Sequence, residues 1–471
     1  MQKLLKQHPS VLLLVLLFLF RQSSAQVVKL SPDQELARSI FKELIEINTT
    51  HSTGNTTTAA DAMAKRLIAA GFSEKDVLVV GPELRNYNLV VRLHGTGKRP
   101  PLLLLSHLDV VEARRADWSM DPFILTEKDG YFYGRGTSDI KDGSAILVAN
   151  FIRMKKEGFI PDRDLILALT AGEEGRDVYN GAEWLVKNQR PLIDAEFCIN
   201  MDAGDPQEKK GKRISRTIQI SEKAVLNLML EVKNPGGHGS MPSKDIAIYR
   251  LADGLVKMQH YDFPVQLNDI TKSYFYKMSS FETGQVAEDM QAVSKNPPDS
   301  LAITRLSSTP YYNALIRNTC VATMLEAGHA INALPQSAKA ILNCRIMPGI
   351  PQGEILKEMT HLIADSQIVI TVMDSLENNP SFPVNPAVMK LVEQVTEKLW
   401  PGVPVIPVMD VGASDGIYLR SAGIPTYGIS GVFIDEDDNR AHGKDERIGV
   451  KEFYDGLEYT YALMKAFSSP Y

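Results

Sequence analysis

Short apolar runs that alternate with helix-length patterns constrain this chain more than any other feature. Residues 88–93, 101–106, 165–170 and 196–201 are runs of strand length, and helical patterns such as 145–157 and 181–188 lie between them. A strand that is apolar along its whole length is buried on both faces, the mark of a sheet covered by helices. The pattern predicts an α/β core with a mostly parallel sheet. Upstream, apolar residues from Glu35 to Ala70 recur at helical spacing and break at a polar Thr/Asn stretch over 48–58, which predicts two helices around a loop.

A different order begins near Ile218. Strand 224–233, helix 246–259, strands 320–326 and 338–347, helix 352–364 and strand 368–372 follow the ferredoxin-like strand-helix-strand-strand-helix-strand sequence. They are expected to form a separate α+β domain, residues 218–374, inserted between the two parts of the first domain, 26–217 and 375–471. Residues 261–318 interrupt it between its first helix and second strand and read as a partly helical insertion. At 471 residues the chain exceeds what a single core ordinarily holds, in keeping with two domains.

The first 25 residues differ in kind from the rest. Lys3 and Lys6 precede an apolar run from Val11 to Phe20, and Ser23-Ser24-Ala25 follows it. An apolar core of about ten residues is far short of the roughly 20 that span a bilayer, and small residues at 23 and 25 suit signal peptidase. Residues 1–25 are therefore expected to be a signal peptide cleaved after Ala25, leaving a secreted or periplasmic protein with no membrane span. The formal charge of -6 offers no basic field for phosphates, which argues against nucleic acid as a partner. Three cysteines, Cys198, Cys320 and Cys344, give no disulfide framework and no Cys-x-x-Cys metal pattern, so each is expected to be a buried apolar side chain.

The residues that carry chemistry cluster at predicted strand ends. The run 101–106 opens into Ser106-His107-Leu108-Asp109, and alternation along an extended chain turns His107 and Asp109 to one face. His107 is a candidate metal ligand, with Asp109 accepting the other imidazole N–H and setting the tautomer. Next comes Gly134-Arg135-Gly136-Thr137-Ser138-Asp139-Ile140-Lys141, a glycine-rich turn that places Asp139 just before an apolar helix. Asp139 can serve there as an ordinary helix cap or bridge two cations with its two oxygens. Strand 165–170 ends in Ala171-Gly172-Glu173-Glu174-Gly175. Adjacent carboxylates repel unless a cation or a proton resolves the conflict, so one can ligate metal while the other handles protons. Asp202 follows strand 196–201, and His442 lies in a polar loop before the last helix. Imidazole with carboxylate and no thiolate is a donor set for zinc, with cobalt or manganese as substitutes.

Taken together, these segments resemble the dinuclear zinc hydrolases that include glutamate carboxypeptidases, aminoacylases, carnosine dipeptidases and succinyl-diaminopimelate desuccinylases. The His-x-Asp strand end, the Gly-Arg-Gly-x-x-Asp-x-Lys turn, Gly-Glu-Glu and the late His occur in that family's order across essentially the whole mature chain. The resemblance implies a zinc-exopeptidase-like catalytic domain holding two Zn2+ per subunit, with a lid and dimerisation domain inserted. It implies that Asp139 bridges both metals, that His107 and Asp202 complete one site, and that Glu174 and His442 complete the other. Glu173 would be the general base, with Asp109 orienting His107. The segment Gly236-Gly237-His238-Gly239-Ser240 is similar to one in which the His reaches a neighbouring active site across a dimer, although Asn234 stands where relatives have a Gly. Asn332 and Arg345 match positions that contact substrate, and a guanidinium is shaped to hold a carboxylate by two hydrogen bonds.

The activity this implies is hydrolysis of an amide bond beside a free carboxylate, in a peptide or, as the alternative, in an N-acyl amino acid, by a homodimer. Two rivals stand against it. A non-catalytic binding protein would have no reason to keep Glu173 and all five ligand candidates. A serine hydrolase built on the Gly-x-Ser-x-Gly match at 412–416 would leave the His and carboxylate segments unexplained.

Overall fold

Two of the apolar runs, now strands Leu102–His107 and Leu165–Thr170, lie side by side and parallel inside a ten-stranded sheet, with every residue buried. The computed structural model describes residues 29–175, 179–375, 379–380 and 382–469, so the expected signal peptide lies outside the described residues. Phe197–Asn200 pairs parallel with Leu102–His107 on the other side, and Thr426–Gly428 pairs parallel with Phe197–Asn200. The sheet is mixed rather than mostly parallel. Asn88–Leu93 joins Leu165–Thr170 antiparallel, and Val77–Val80 pairs antiparallel with Asn88–Leu93 because the short connection between them can only reverse the chain. Lys212–Glu222 meets Thr426–Gly428 antiparallel and pairs parallel with Val405–Asp410.

Helix Lys141–Lys156 is buried along most of its length, between this sheet and helices Pro32–Glu46 and Val450–Ser468. Ser31 and Gln34 cap the start of Pro32–Glu46 reciprocally, and its Phe41 stacks on Phe453 of the last helix at 4.7 Å between ring centroids. These contacts hold the first and last helices of the described chain on one face of the sheet.

The second unit is a four-stranded antiparallel sheet in the order Thr319–Ala327, Ser337–Ile346, Ala224–Lys233, Ile368–Ser375, with helices Ala247–Gln259 and Gln352–Ile363. That is the ferredoxin-like strand order, and it has its own apolar cluster. Along Ser337–Ile346 burial alternates strictly, so Ala338, Ala340, Leu342, Cys344 and Ile346 face that core and Asn343 and Arg345 face away. The chain passes from the large sheet to the small one at Lys223, beyond the 217/218 boundary expected from the pattern, because strand Lys212–Glu222 still pairs in the large sheet.

Two expectations are corrected. Cys320 and Cys344 are joined in a disulfide across directly opposed strand positions, with Cα atoms 4.0 Å apart, and only Cys198 is a free buried thiol. Their adjacency comes from strand register, which spacing along the chain does not encode. The insertion 261–318 forms helices Asp269–Met278, Gly284–Val293, Ser300–Leu306 and Pro310–Ile316. Its Ile270, Tyr274, Phe275, Met290 and Ile316 join the apolar core of the large sheet, and Lys277 Nζ donates to the Val405 carbonyl at 3.0 Å. Though it interrupts the ferredoxin-like order in sequence, it packs on the other unit. Among the described residues no helix is long and apolar enough to cross a membrane.

Candidate metal centre

Parallel strands bring their carboxyl ends to one edge of a sheet. His107 ends strand Leu102–His107, Glu173 and Glu174 follow Leu165–Thr170, and Asp202 follows Phe197–Asn200. Asp139 comes from the Gly-Arg-Gly turn at the start of helix Lys141–Lys156. His442 comes from the loop before Val450–Ser468, with a left-handed backbone at φ 63°.

The side chains converge. His107 Nε2 lies 3.3 Å from Asp139 Oδ1 and 3.7 Å from Asp202 Oδ1. His442 Nε2 lies 2.9 Å from Asp139 Oδ2 and 2.9 Å from Glu174 Oε1. Asp139 thus turns one oxygen towards each histidine, which is what a carboxylate bridging two cations requires. Glu173 and Glu174 each offer an oxygen near His107. His107, Asp139, Glu173, Glu174, Asp202 and His442, all named from the sequence, are brought together.

Their protonation follows from burial and from one another. Burial pulls the His107 imidazole down, but Asp202, Asp139 and Glu173 overcome it and hold its pKa well above the usual value. Hydrogen bonds that His442 donates to Asp139 and Glu174 raise its pKa to about 10. Burial raises Asp202 to about 7 against the opposing pull of His107. For Asp139 burial acts upward, yet the two imidazoles outweigh it and hold the carboxyl far below its ordinary range. Burial, with Asp202, Asp415 and Glu174 nearby, raises Glu173 well above an ordinary glutamate, opposed by His107. Protons on the imidazoles thus offset the crowded carboxylates. Two dications fit the same place: His107 Nε2 is buried with no hydrogen-bond partner, and the donors are nitrogen and oxygen without thiolate.

Asp109 departs from expectation. The N–H partner of His107 Nδ1 is the main-chain carbonyl of Asp109, at 3.0 Å, while the carboxylate oxygen stands 3.9 Å from it. The carboxylate is engaged instead by the N–H groups of Gly172, Glu173 and Glu174, at 2.8, 3.2 and 2.9 Å. Asp109 therefore orients His107 through its backbone and shapes the Gly-Glu-Glu turn through its side chain.

Sequence reasoning missed the corresponding support on the other side. Glu446 is wholly buried and accepts the N–H groups of Gly136, Ser138 and Asp139, while it pairs with buried Arg135. Arg135 Nη2 in turn donates to the carbonyls of His442 and Gly443. The signal available was a glutamate four residues after the late histidine, facing an Arg in the glycine-rich turn. Lys141, whose pKa burial lowers to about 7, donates to the carbonyls of Leu44 and Ile47 and ties the same turn to the first helix.

The expected substrate residues lie apart from this cluster. His238 lies exposed on a two-stranded sheet that pairs Gly237–His238 with the distant Ala333–Leu334, and Asn332 is exposed in the turn just before the second of these strands; His238 Nδ1 is 2.7 Å from Ser240 Oγ. Among the described residues neither makes a hydrogen bond or ion pair with the metal-ligand cluster. Arg345 Nε donates to Asn343 Oδ1 at 3.1 Å on the outward face of the four-stranded sheet. Ser414 of the Gly-x-Ser-x-Gly match donates to Glu222 Oε2 at 2.9 Å and accepts from Asn200, so the hydrogen bonds of its hydroxyl go to a carboxylate and an amide rather than to a histidine. A cleft of about 450 Å³ opens beside the cluster, lined in part by His51, Asn86, Glu112, Glu174 and His442.

Comparison with known proteins gives a consistent picture. The sequence profile of peptidase family M20/M25/M40 matches residues 103–466. The N-fatty-acyl-amino acid synthase/hydrolase PM20D1 of Homo sapiens is 27% identical over 388 residues, covering 78% of this chain and 74% of that protein. The probable carboxypeptidase S-like 2 of Dictyostelium discoideum is 25% identical over 395 residues, covering 81% and 75%. In three dimensions the chain is similar to the M20 family metallo-carboxypeptidase Sso-CP2 of Sulfolobus solfataricus, with TM-score 0.69 and 17% identity over 92% of this chain and 99% of that one. It is also similar to YXEP of Bacillus subtilis, described as a dinuclear metal-binding peptidase from the M20 family, with TM-score 0.58 and 11% identity over 93% and 98%.

Proposed function

Because this chain belongs to peptidase family M20/M25/M40 and is a metal-dependent hydrolase, we propose that it uses two zinc ions to cleave the amide bond next to a free carboxylate. The observation that carries this reading is Asp139 turning one oxygen to His107 and the other to His442, with Glu173 half-buried beside them. His107 and Asp202 would hold one cation, Glu174 and His442 the other, and Asp139 both. Bound there, the pair of ions supplies Lewis acidity that lowers the pKa of water.

The chain's own residues supply the rest. Glu173 accepts a proton from the attacking water and delivers it to the leaving amine, a task that suits a carboxyl whose pKa burial raises above that of an ordinary glutamate. Asp109 keeps the Glu173 backbone in place while it does so. Arg345 holds the substrate carboxylate, with Asn332 beside it, and His238 polarises the scissile carbonyl when a second copy of the chain presents it. The second copy is supported by strand Thr319–Ala327, an uncovered sheet edge that exposes Val321, Met324 and Leu325. Export is supported by the leader pattern of residues 1–25 and by the Cys320–Cys344 disulfide, a bond of oxidising compartments.

Peptides with a free C-terminus are the first substrate class, and N-acyl amino acids are the second, favoured by the similarity to the human N-fatty-acyl-amino acid synthase/hydrolase. The test is hydrolysis of dipeptides and N-acyl amino acids, each as free acid and as amide, by zinc-loaded wild type and Glu173→Ala. Cleavage confined to free acids and abolished by chelator and by Glu173→Ala is expected. Cleavage that survives Glu173→Ala, or that ignores the carboxylate, would overturn the reading.

A further inference from the structure

Two consecutive residues outside the cluster, Ser414 and Asp415, bind to two of the three strand ends that deliver it. Asp415 is 2% exposed, yet it belongs to the loop between strand Val405–Asp410 and helix Gly416–Ser421, far along the chain from the Gly-Glu-Glu turn. Its Oδ2 accepts the hydroxyl of Thr170 at 2.5 Å, and its Oδ1 accepts the side-chain amide of Asn180 at 2.5 Å. Thr170 is the last strand residue before the turn, and Asn180 caps the helix after it through Glu183 N–H at 2.9 Å. One carboxylate thus grips the segment that carries Glu173 and Glu174 at its entry and at its exit.

The base of that segment is closed by further contacts. Gly181 N–H donates to the Ala171 carbonyl at 2.7 Å, and Ala171 N–H donates to Asn88 Oδ1 at 2.9 Å. The approach is so close that a Cβ on Gly181 would stand 2.0 Å from Asn88 Oδ1. Next door, Ser414 Oγ accepts from Asn200 Nδ2 at 3.2 Å, and Asn200 Oδ1 accepts the N–H of Asp202 at 3.2 Å.

We propose that Asp415 is a positioning residue that sets the Glu173–Glu174 turn by holding Thr170 and Asn180 at once. It touches neither substrate nor the reacting atoms and acts through Glu173 and Glu174. This inference rests on the proposed hydrolytic function for its catalytic consequence, while its effect on metal binding through Glu174 does not.

Because the bond to Asn180 has a direction, exchanging its partners tests the clamp. Asp415→Ala removes the acceptor for both partners, whereas Asn180→Asp sets two carboxylates against each other, a conflict that Asp415→Asn, which keeps an acceptor and gains a donor, relieves in the double exchange. The double exchange restores a donor facing an acceptor, and Asp is as good a helix cap as Asn. The measurements are kcat and KM on a substrate the wild type cleaves, and zinc affinity by competition with a chelating dye. Asp415→Ala is expected to lower kcat about 100-fold with little change in KM, and to weaken zinc binding about 10- to 100-fold. Asn180→Asp is expected to do likewise, and the double exchange to recover most of both losses. Thr170→Val is expected to lower kcat and zinc affinity where Thr170→Ser does not, which covers the case of an Asp415 variant that fails to fold. Wild-type kcat and zinc affinity in Asp415→Ala, or no recovery in the folded double exchange, would overturn the clamp. A wild type that cleaves none of the substrates would count against the proposed function, and the zinc affinities would still decide the role of Asp415.

Discussion

The carboxylate of Asp109 accepts the main-chain N–H of Glu173 at 3.2 Å, together with those of Gly172 and Glu174. A carboxylate that gathers successive N–H groups fixes the turn that bears them, so the position of Glu173 depends on Asp109 more directly than the tautomer of His107 does. Replacing Asp109 with Ala leaves its carbonyl free to keep the His107 Nδ1 bond. We expect Asp109→Ala to lower kcat about 10- to 100-fold while the His107 nitrogen NMR signals keep the wild-type tautomer. A tautomer change without loss of kcat would reverse that order of importance.

Zinc loading should release protons. In the metal-free protein Asp139 and Glu174 raise His442 to about 10, and Asp202, Asp139 and Glu173 raise His107 against its burial. A raised histidine contributes stability that is complete below its unfolded pKa, near 6.5, and that is lost as pH rises through the folded value. Metal needs the neutral imidazole, so binding at pH 7 should expel about two protons and weaken as pH falls. Calorimetry in buffers of different ionisation enthalpy counts those protons, and a heat independent of buffer would contradict the assignment.

Glu446 and Arg135 form a pair with both side chains almost wholly buried, and Glu446 also collects the N–H groups of the turn that carries Asp139. Glu446→Gln leaves the Arg135 guanidinium buried without its counter-charge. A loss of about 3–5 kcal/mol in denaturant unfolding is expected, and a loss under about 1 kcal/mol would show that water reaches Arg135.

The thiols should titrate in three distinct amounts. Of the 3 cysteines, Cys198 is free and buried and the other two are joined. The native protein should show no reactive thiol, the unfolded unreduced chain one, and the unfolded reduced chain all 3. Removing the bond with Cys320→Ser should cost about 2–4 kcal/mol of stability. Three reactive thiols in the unreduced unfolded chain would exclude the disulfide.

Much of the candidate site was legible in the chain because most of its residues sit where an apolar run ends, and the end of a buried strand is local information. His107, Glu173, Glu174 and Asp202 were found in this way, and Asp139 and His442 by their glycine-bearing loops. The order of strands and helices likewise predicted both sheets, since alternation of apolar residues is imposed by which faces are covered. Arg345, Asn332 and His238 came only from resemblance, and they belong to the four-stranded and two-stranded sheets rather than to the strand ends that carry the cluster.

What the sequence determined by itself, then, is which residues end which strands and how each strand or helix buries its faces, because those properties depend on neighbours a few positions away. What only the tertiary structure decided is everything that joins distant segments: Cys320 opposite Cys344, the insertion 261–318 folded onto the large sheet, Glu446 beneath the Asp139 turn, and Asp415 between Thr170 and Asn180. Each is a contact between chain segments whose separation carries no periodicity. Strand register and the close packing of elements set such contacts, and a pattern read along one strand at a time contains neither.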